Sequence, residues 1–560
     1  MHLSTLRLAI GLALLSATAC AAQTETVSAP PQDGPAMVAA ANPHAVEAGL
    51  EALRAGGSAI DAAIAVQSVL SLVEPQSSGL GGGAFMMYFD AATGDITVYD
   101  GREMAPTGVN ETLWLDETGA PLAFRSAWTS GRAVGVPGAV AMLAMAHGDH
   151  GRLDWSAGFE HAEQLATDGF EISPRLYSLI VRAGQISDIE ERAPIGNYFF
   201  DADGAALPVG HVLRNPDYAN SVQLIGQNWR NFYEGDLAAA IVESVGAGTY
   251  PGTMTLEDLA NYEPIRRDAI CRDYRDWSVC GAPPPASGGI TVNQILGLLE
   301  PYDMAATGPE TIEGWRRFIE ASRLAYADRD AYVAAPDSMT ITPDALLDEA
   351  YIAQRAALID RDTAIPSVFA GEGGVPGTSH FVIVDGEGNV VSMTTTVEFL
   401  FGSTRMAGGL FLNNQMTDFN FLPLTEDGMP HPNAAGPGKR PRSSMSPTLV
   451  FDQDGEFYMG LGSPGGSSII AYVAKTIVGV LDWGLTPQDA INLPNVVGRG
   501  DIVRVEDSFS PELLDGLAAL GFSLDANRSE NSGLHAVRVL PDGALEGGAD
   551  PRREGVVGEP

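Results

Sequence analysis

The chain has 560 residues, of which 45% are hydrophobic and 18% are charged, a composition typical of a folded protein with a large apolar core. Its net charge is −39, and it has only two lysines, Lys439 and Lys475. Because such an acidic chain repels phosphate-rich surfaces, the composition argues against nucleic acid or an anionic membrane as a partner.

The first 22 residues have the pattern of a secretory signal peptide. Arg7 precedes the apolar run Leu8–Leu15, and small residues follow as far as Ala22, a segment too short to span a membrane. Cleavage after Ala19 would leave Cys20 first, so a bacterial lipoprotein with a lipid anchor at Cys20 is an alternative to ordinary signal cleavage. Residues 23–34 are interpreted as a linker. We expect no membrane span elsewhere and a periplasmic or secreted protein.

The N-terminal half alternates helical and extended patterns. His44–Leu72 has a helical apolar repeat broken by Gly56-Gly57, which predicts two packed helices. Phe85–Tyr88 and Ile96–Tyr99 are predicted to be paired strands, with Arg102 directly after the second. From Val140 to Leu358 the pattern is mostly helical.

Two cysteines remain outside the signal region, Cys271 and Cys280. If Arg275-Asp276 forms the tip of a hairpin, the two cysteines lie directly across the strands from one another, within bonding reach. In an oxidising compartment this arrangement predicts a disulfide. The alternative is two unrelated buried thiols.

The stretch from Gly377 to Gly402 contains the candidate nucleophile. Phe381–Val384 and Val390–Met393 flank a Gly-rich turn and predict a hairpin. Thr378 follows Gly377 at the mouth of this hairpin, where a self-cleaving precursor would place a threonine whose freed α-amino group acts as its base. Ile365–Pro376 is rich in Gly and Pro, as expected for an exposed linker that is cut. On the alternative interpretation, Thr378 simply begins a strand.

Motifs on both sides of this junction, in their order and spacing, resemble those of the γ-glutamyltransferase (γ-glutamyltranspeptidase) family of N-terminal-nucleophile hydrolases. The resemblance extends from Pro35 to Pro551. It is carried by Gly81–Met86, Asp100–Pro106, Gly135–Gly138, Pro283–Gly289, Leu412–Phe419, Lys439–Thr448 and Gly462–Ser467. It implies a four-layer αββα sandwich in which a large segment, 35–377, and a small segment, 378–560, form one interleaved catalytic domain and persist as a heterodimer after cleavage between Gly377 and Thr378.

The resemblance also implies roles for individual residues. Thr378 would be the nucleophile, Thr396 would hydrogen-bond it, and the N–H groups of Gly465 and Gly466, at a turn that opens a helix, would stabilise an oxyanion. At opposite ends of the substrate head group, the α-carboxylate and the α-ammonium would be bound by two sets of residues. These sets are Arg102, Ser443 and Ser444 for the carboxylate, and Glu398, Gln415 and Asp418 for the ammonium. Glu398 departs from members with asparagine there. No metal or other cofactor is expected.

The function that follows is a hydrolase or transferase that acts on glutathione and other γ-glutamyl compounds, with an amino acid, a peptide or water as acceptor. One alternative is an amidase of the same fold that takes a glutaryl chain, as in the related cephalosporin acylases. Because a glutaryl chain has no α-amino group, the acidic residue Asp418 argues against this alternative. Another alternative is a secreted binding protein without catalysis, and the intact Thr378 argues against it.

Overall fold

The structure is a computed structural model and describes residues 34–189, 192, 194–359, 363–365, 376–526 and 532–560. The predicted signal peptide, all of the predicted linker except Gly34, and most of Ile365–Pro376 lie outside these residues. None of the helices in the described ranges is long and apolar enough to cross a membrane.

The α-helices are mostly amphipathic segments that begin at a side-chain cap. In α2, for example, Ser58 and Asp61 form a reciprocal capping box. The helices are α1 Pro43–Arg54, α2 Ala59–Val73, α3 Phe124–Trp128, α4 Ala139–His150, α5 Ala157–Asp168, α6 Pro174–Ser187, α7 Ile195–Phe199, α8 Pro216–Gln227, α9 Gly235–Gly246, α10 Leu256–Ala260, α11 Gly288–Leu299, α12 Met304–Thr307, α13 Ile312–Tyr332, α14 Pro343–Leu346, α15 Glu349–Ala356, α16 Ile469–Leu481, α17 Pro487–Asn492 and α18 Pro511–Ala519.

The strands form two large sheets and three small ones. They are β1 Met37–Ala40, β2 Gly83–Phe89, β3 Ile96–Gly101, β4 Phe170–Glu171, β5 Val212–Leu213, β6 Ile265–Asp268, β7 Ile270–Tyr274, β8 Trp277–Gly281, β9 Pro376–Val384, β10 Val390–Phe399, β11 Arg405–Ala407, β12 Leu410–Leu412, β13 Thr448–Phe451, β14 Phe457–Gly462, β15 Val496–Gly498, β16 Ile502–Val505, β17 Ser523–Asp525, β18 His535–Val539, β19 Leu545–Ala549 and β20 Val556–Gly558. One large sheet has the order β20-β1-β9-β10-β2-β3-β6, and the other has the order β19-β18-β14-β13-β8-β7.

The two large sheets pack face to face, with helices on both outer surfaces. Along β9, Phe381 and Ile383 point into a core shared with α1 and α2, whereas Val382 and Val384 point towards the second sheet. The far side of the second sheet packs against α11, α13 and α16. The result is the predicted four-layer αββα sandwich, whose centre is formed by the facing surfaces of the two large sheets.

The predicted hairpin of the junction is confirmed. β9 and β10 pair antiparallel, and Asp385 accepts the N–H groups of Glu387 and Asn389, each at 3.0 Å, within the turn. The pairing register shifts between Thr395 and Glu398, and such a bulge redirects the side chains at the end of a strand. This end of the hairpin carries the candidate nucleophile.

β7 and β8 form the hairpin expected around Arg275-Asp276. Cys271 and Cys280 are register partners, and the structure joins them by a disulfide with an S–S distance of 2.01 Å. Arg275 adopts a left-handed conformation at the tip, with φ of 57°.

Candidate active site

Two threonine hydroxyls and the carbonyl group of Gly377 meet where β9 begins. Thr378 is 3% exposed, and its Oγ1 lies 2.7 Å from the carbonyl oxygen of Gly377. Thr396 Oγ1, on β10, lies 2.7 Å from the same oxygen and 3.1 Å from Thr378 Oγ1. Thr396 occupies this position because it falls in the bulge, which separates it from Thr394 and Thr395 in the regular part of the strand. The structure therefore brings Gly377, Thr378 and Thr396 together.

A glycine turn lies next to this junction. Gly465 and Gly466 have φ values of 135° and 54°, in the region that favours glycine, and a Cβ on Gly465 would lie 2.6 Å from the Tyr472 ring. Gly466 begins a short 3₁₀ turn that leads into α16, and this turn contacts β9. Backbone N–H groups at the start of a helix are suited to bind a negatively charged oxygen.

The acidic side chains of the site surround one buried arginine. Asp418 ends the short turn Gln415–Asp418, and its Oδ2 accepts from Arg102 Nη2 at 2.5 Å and from Gln415 Nε2 at 3.1 Å. Glu103 Oε2 lies 3.5 Å from Arg102 Nη1. Arg102 is fully buried and also donates to the carbonyl oxygens of Pro441 and Arg442.

The arrangement of Arg102 differs from the sequence-based expectation. Arg102 and Asp418 were expected at opposite ends of a substrate head group, but their side chains are in direct contact. The physical reason is that the turn Gln415–Asp418 carries the carboxylate to a guanidinium that the Asp100–Pro106 motif holds in place. Asp418 remains 31% exposed, so it is the member of the pair that faces outward.

Two further carboxyl groups near Arg102 have raised pKa values. Burial, together with the charge of Asp418, raises the pKa of Glu398 to about 8. Glu398 has a φ of 81° and is held by the side chains of Asn414 and Thr417. Burial also raises the pKa of Glu103 to about 8, in spite of the nearby Arg102 charge. Both carboxyls favour the protonated form at neutral pH, which the sequence did not indicate.

The two serines are presented as hydrogen-bond donors. Ser443 Oγ accepts the N–H of Met445 at 3.1 Å, and Ser444 Oγ accepts from Arg329 Nη2 at 2.5 Å. Because each serine oxygen already accepts a hydrogen bond from a protein donor, each hydroxyl hydrogen remains available for donation. Within the described residues the structure gives these two hydroxyls no acceptor, so both are suited to bind an anion.

Behind Ser444 lies a cluster of three arginines around one carboxylate, which we call the basic cluster: Arg329, Arg442, Arg499 and Asp330. Asp330 contacts Arg329 at 2.7 Å, Arg499 at 3.0 Å and Arg442 at 3.4 Å. Although burial opposes it, the three positive charges lower the pKa of Asp330 to about 2. Burial and the charge of Arg329 lower the pKa of Arg442 to about 9. The cluster thus has an excess of positive charge.

Sequence reasoning missed four residues of this region: Glu103, Arg329, Arg442 and Arg553. Glu103 and Arg442 adjoin residues that the motifs had singled out, so adjacency was an available signal. Arg329, which donates to Ser444, and Arg553, which donates to the carbonyl oxygen of Thr378, reach the site from distant parts of the chain, and nothing in their local sequence indicates it. No group of three or more His, Cys, Asp or Glu side chains in the described ranges is arranged to hold a metal ion.

The four-layer sandwich and a threonine at the mouth of a central strand define the N-terminal-nucleophile hydrolase class. A family model for gamma-glutamyltranspeptidase matches residues 45–559. The chain is 36% identical over 534 residues to the glutathione hydrolase proenzyme of Escherichia coli strain K12, covering 92% of this chain and 90% of that protein. It is 34% identical over 545 residues to the glutathione hydrolase proenzyme of Bacillus subtilis strain 168, covering 93% and 90%.

Among solved structures, a cephalosporin acylase from Bacillus halodurans superposes with a TM-score of 0.84 at 28% identity, covering 94% of this chain and 96% of that chain. The protein therefore belongs to the gamma-glutamyltranspeptidase family and is an enzyme of that family. The resemblance seen in the sequence motifs is confirmed.

Proposed function

We propose that the protein is a self-cleaving γ-glutamyl hydrolase and transferase that acts on glutathione and other γ-glutamyl compounds through an acyl-enzyme on Thr378. The observation that carries this proposal is the convergence of the Thr378 and Thr396 hydroxyls on the Gly377 carbonyl oxygen, at 2.7 Å each. The names of the E. coli and B. subtilis relatives, which are glutathione hydrolase proenzymes, support it.

Self-cleavage begins when Thr378 Oγ1 attacks the carbonyl carbon of Gly377. Thr396 Oγ1, which lies 2.7 Å from the carbonyl oxygen, donates a hydrogen bond to it as negative charge develops there. The C–N bond breaks, the proton that the Thr378 hydroxyl gives up goes to the nitrogen, and the acyl group moves to the oxygen as an ester. Water then hydrolyses the ester, which leaves a carboxylate on Gly377 and a free α-amino group on Thr378.

In turnover the same hydroxyl attacks the γ-carbonyl carbon of the substrate. The α-amino group of Thr378 takes the hydroxyl proton and gives it to the leaving amine. The N–H groups of Gly465 and Gly466 stabilise the oxyanion, and water or an amine acceptor then releases the γ-glutamyl group. Hydrolysis and transfer differ only in this last step.

The two charge imbalances of the site fit an amino-acid head group. We place the α-ammonium against Asp418, Glu398 and Gln415, where carboxyl groups outnumber the buried arginine and an arriving cation favours their ionised form. We place the α-carboxylate on the hydroxyls of Ser443 and Ser444, whose oxygens accept from protein donors, with the guanidinium of Arg102 near them. A substrate that carries both charges neutralises both imbalances at once.

The two segments should remain together after the cut. In the seven-stranded sheet, β1, β2, β3 and β6 belong to residues 35–377, β10 and β20 belong to residues 378–560, and β9 belongs to the second segment from Thr378 onwards. Separation would therefore expose the whole centre of the sheet to water. We also propose export to the periplasm or beyond, and the Cys271–Cys280 disulfide supports an oxidising compartment. A lipid anchor at Cys20 is the alternative to ordinary signal cleavage within this proposal.

A second candidate is an amidase for glutaryl compounds. The likeness to a cephalosporin acylase favours it, and so does the Arg102 pair, which partly neutralises Asp418 and would allow a head group without an ammonium. We rank it second because a glutaryl chain has no ammonium for the carboxyl and amide groups of Glu398, Asp418 and Gln415 to bind.

The test is the state and activity of the purified protein. We expect two fragments on a denaturing gel, with Thr378 as the N-terminal residue of the smaller, and release of the anilide from a γ-glutamyl anilide that a dipeptide acceptor accelerates. Thr378→Ala should stay one chain, and its activity should fall at least about a thousandfold. The substitution removes the nucleophilic hydroxyl, and without cleavage the α-amino group that acts as the base is not released. An uncut but active Thr378→Ala protein would contradict the mechanism.

A further inference from the structure

An arginine from the end of the chain contacts the backbone of the nucleophile. Arg553 follows β19, 175 residues after Thr378, and its Nη1 donates to the carbonyl oxygen of Thr378 at 2.7 Å. Its Nε donates to the carbonyl oxygen of Ser532 at 3.1 Å, and the residue is 6% exposed. This contact places a buried cation beside the residue that performs the chemistry.

Arg553 contacts Thr378 directly and stays charged among the titratable groups that face it. Burial, with the charge of Arg175, lowers the pKa of Arg553 to about 9, which leaves the guanidinium charged at neutral pH. Glu74 faces it beyond the end of α2, but its Oε2 accepts from Arg175 at 2.5 Å and from Gln76 at 2.7 Å. Asp550, on the same segment, and the Tyr472 hydroxyl, on α16, also face Arg553.

The neighbouring strands add little charge of their own. On β9, burial beside His535 lowers the pKa of His380 well below its usual range, so both imidazoles are neutral. On β10, Glu398 favours the protonated form at neutral pH. Glu554 accepts the backbone N–H of Arg175 at 3.1 Å, and its charge acts on Glu74.

The carbonyl oxygen and the α-nitrogen of one residue are three bonds apart, roughly 3 Å. A guanidinium bonded to the Thr378 oxygen therefore lies within about 6 Å of its nitrogen. A positive charge at this distance disfavours a second positive charge, so it favours the unprotonated amine. An ordinary α-amino group titrates at about 7.7–8.0 and would be mostly protonated at pH 7.

We propose that Arg553 is a positioning residue that fixes the Thr378 backbone and, as the cation beside it, keeps the α-amino group released by self-cleavage unprotonated near neutral pH. This inference rests on the proposed function, in which that amine is the catalytic base. In the uncut chain the same nitrogen is an amide and does not titrate, so the electrostatic effect begins only after cleavage.

The test compares Arg553→Gln, which keeps a donor but loses the charge, with Arg553→Lys, which keeps the charge. We expect the acidic limb of kcat/KM on a γ-glutamyl anilide to move up by about one pH unit or more in Arg553→Gln and by less than about half a unit in Arg553→Lys. Activity of Arg553→Gln should then fall roughly tenfold at pH 6 and recover at pH 9. A limb that stays in place, or that moves equally in both variants, overturns the proposal.

A second measurement needs no variant. Cyanate carbamoylates only unprotonated amines, so its rate at Thr378 against pH, followed by mass spectrometry of the small fragment, reports the pKa of that amine apart from Glu398. A pKa below about 7 is expected in the mature enzyme, and the ordinary 7.7–8.0 would overturn the proposal even if Arg553→Gln fails to mature. Failure of the proposed function is a different result, namely an uncut chain or no turnover of γ-glutamyl substrates by the wild type.

Discussion

The two ends of the candidate site are opposite in charge and alike in construction. At the acidic end one arginine, Arg102, lies among Asp418, Glu103 and Glu398. At the basic end one carboxylate, Asp330, lies among Arg329, Arg442 and Arg499. The ends meet where Arg102 donates to the carbonyl oxygen of Arg442 at 2.9 Å.

This comparison supports the proposed recognition of a head group with two charges. In the proposed function, the carboxyls of the acidic end outnumber Arg102 and ionise fully only when a cation arrives, whereas the basic end lacks an anion. The imbalance costs stability, as the raised pKa values of Glu103 and Glu398 and the lowered pKa of Arg442 indicate. Bound substrate would offset that cost, so the site exchanges stability for affinity.

The largest effect should come from removing the arginine of the acidic end. Arg102→Met would leave three neighbouring carboxyls without their buried counter-charge, and breaking such a pair costs about 3–5 kcal/mol of the free energy of unfolding. Chemical denaturation of the uncut Thr378→Ala chain, with and without Arg102→Met, measures this loss. The matched control is Arg54→Met, whose exposed pair with Glu47 should contribute at most about 1 kcal/mol. Equal losses would refute the importance of the buried pair.

At the basic end, Ser444→Ala should raise KM for γ-glutamyl substrates by roughly tenfold and leave kcat nearly unchanged. The reason is the loss of one charge-assisted hydrogen bond, worth about 1.5 kcal/mol. Steady-state kinetics on a γ-glutamyl anilide measures it. A second substrate, the same anilide with its α-carboxylate converted to an amide, serves as the control. On it Ser444→Ala should raise KM by less, and an equal rise in KM on both substrates would mean that Ser444 does not bind the carboxylate.

Per pH unit, the smallest effect concerns Glu103, whose pKa is raised in the folded chain. A carboxyl with a raised folded pKa stabilises the fold fully below its unfolded pKa, and this contribution is lost as the pH rises towards about 8. Relative to Glu103→Gln, the wild type should therefore lose on the order of 1 kcal/mol of unfolding free energy per pH unit between pH 5 and 8. Parallel stability curves over this range would show that Glu103 is ionised throughout.

Local patterns predicted the framework of the site better than its charges. The hairpin of β9 and β10, the pairing of Cys271 with Cys280 and the turn at Gly465-Gly466 follow from alternation, spacing and glycine, which act over short distances. The nucleophile could be proposed for the same reason, because it stands at the start of a strand that the pattern defines.

The contacts between charged side chains could not be predicted from local sequence patterns. Arg329 reaches Ser444 across 115 residues, and Arg102 reaches Asp418 across 316. Which carboxylate an arginine contacts depends on how a turn such as Gln415–Asp418 lies over the sheet, and no local pattern contains that information. The direct contact of Arg102 with Asp418 was therefore missed.

The central claim is that the acidic end recognises an α-ammonium, and Asp418→Asn tests it most directly on two substrates that differ only in that group. On a γ-glutamyl anilide kcat/KM should fall roughly tenfold to a hundredfold, because the ammonium enters a site without its counter-charge. On the matching glutaryl anilide it should change by less than about threefold, and self-cleavage, which uses no head group, should proceed normally. An equal loss on both anilides would contradict the claim and would mean that Asp418 supports the fold or the nucleophile instead.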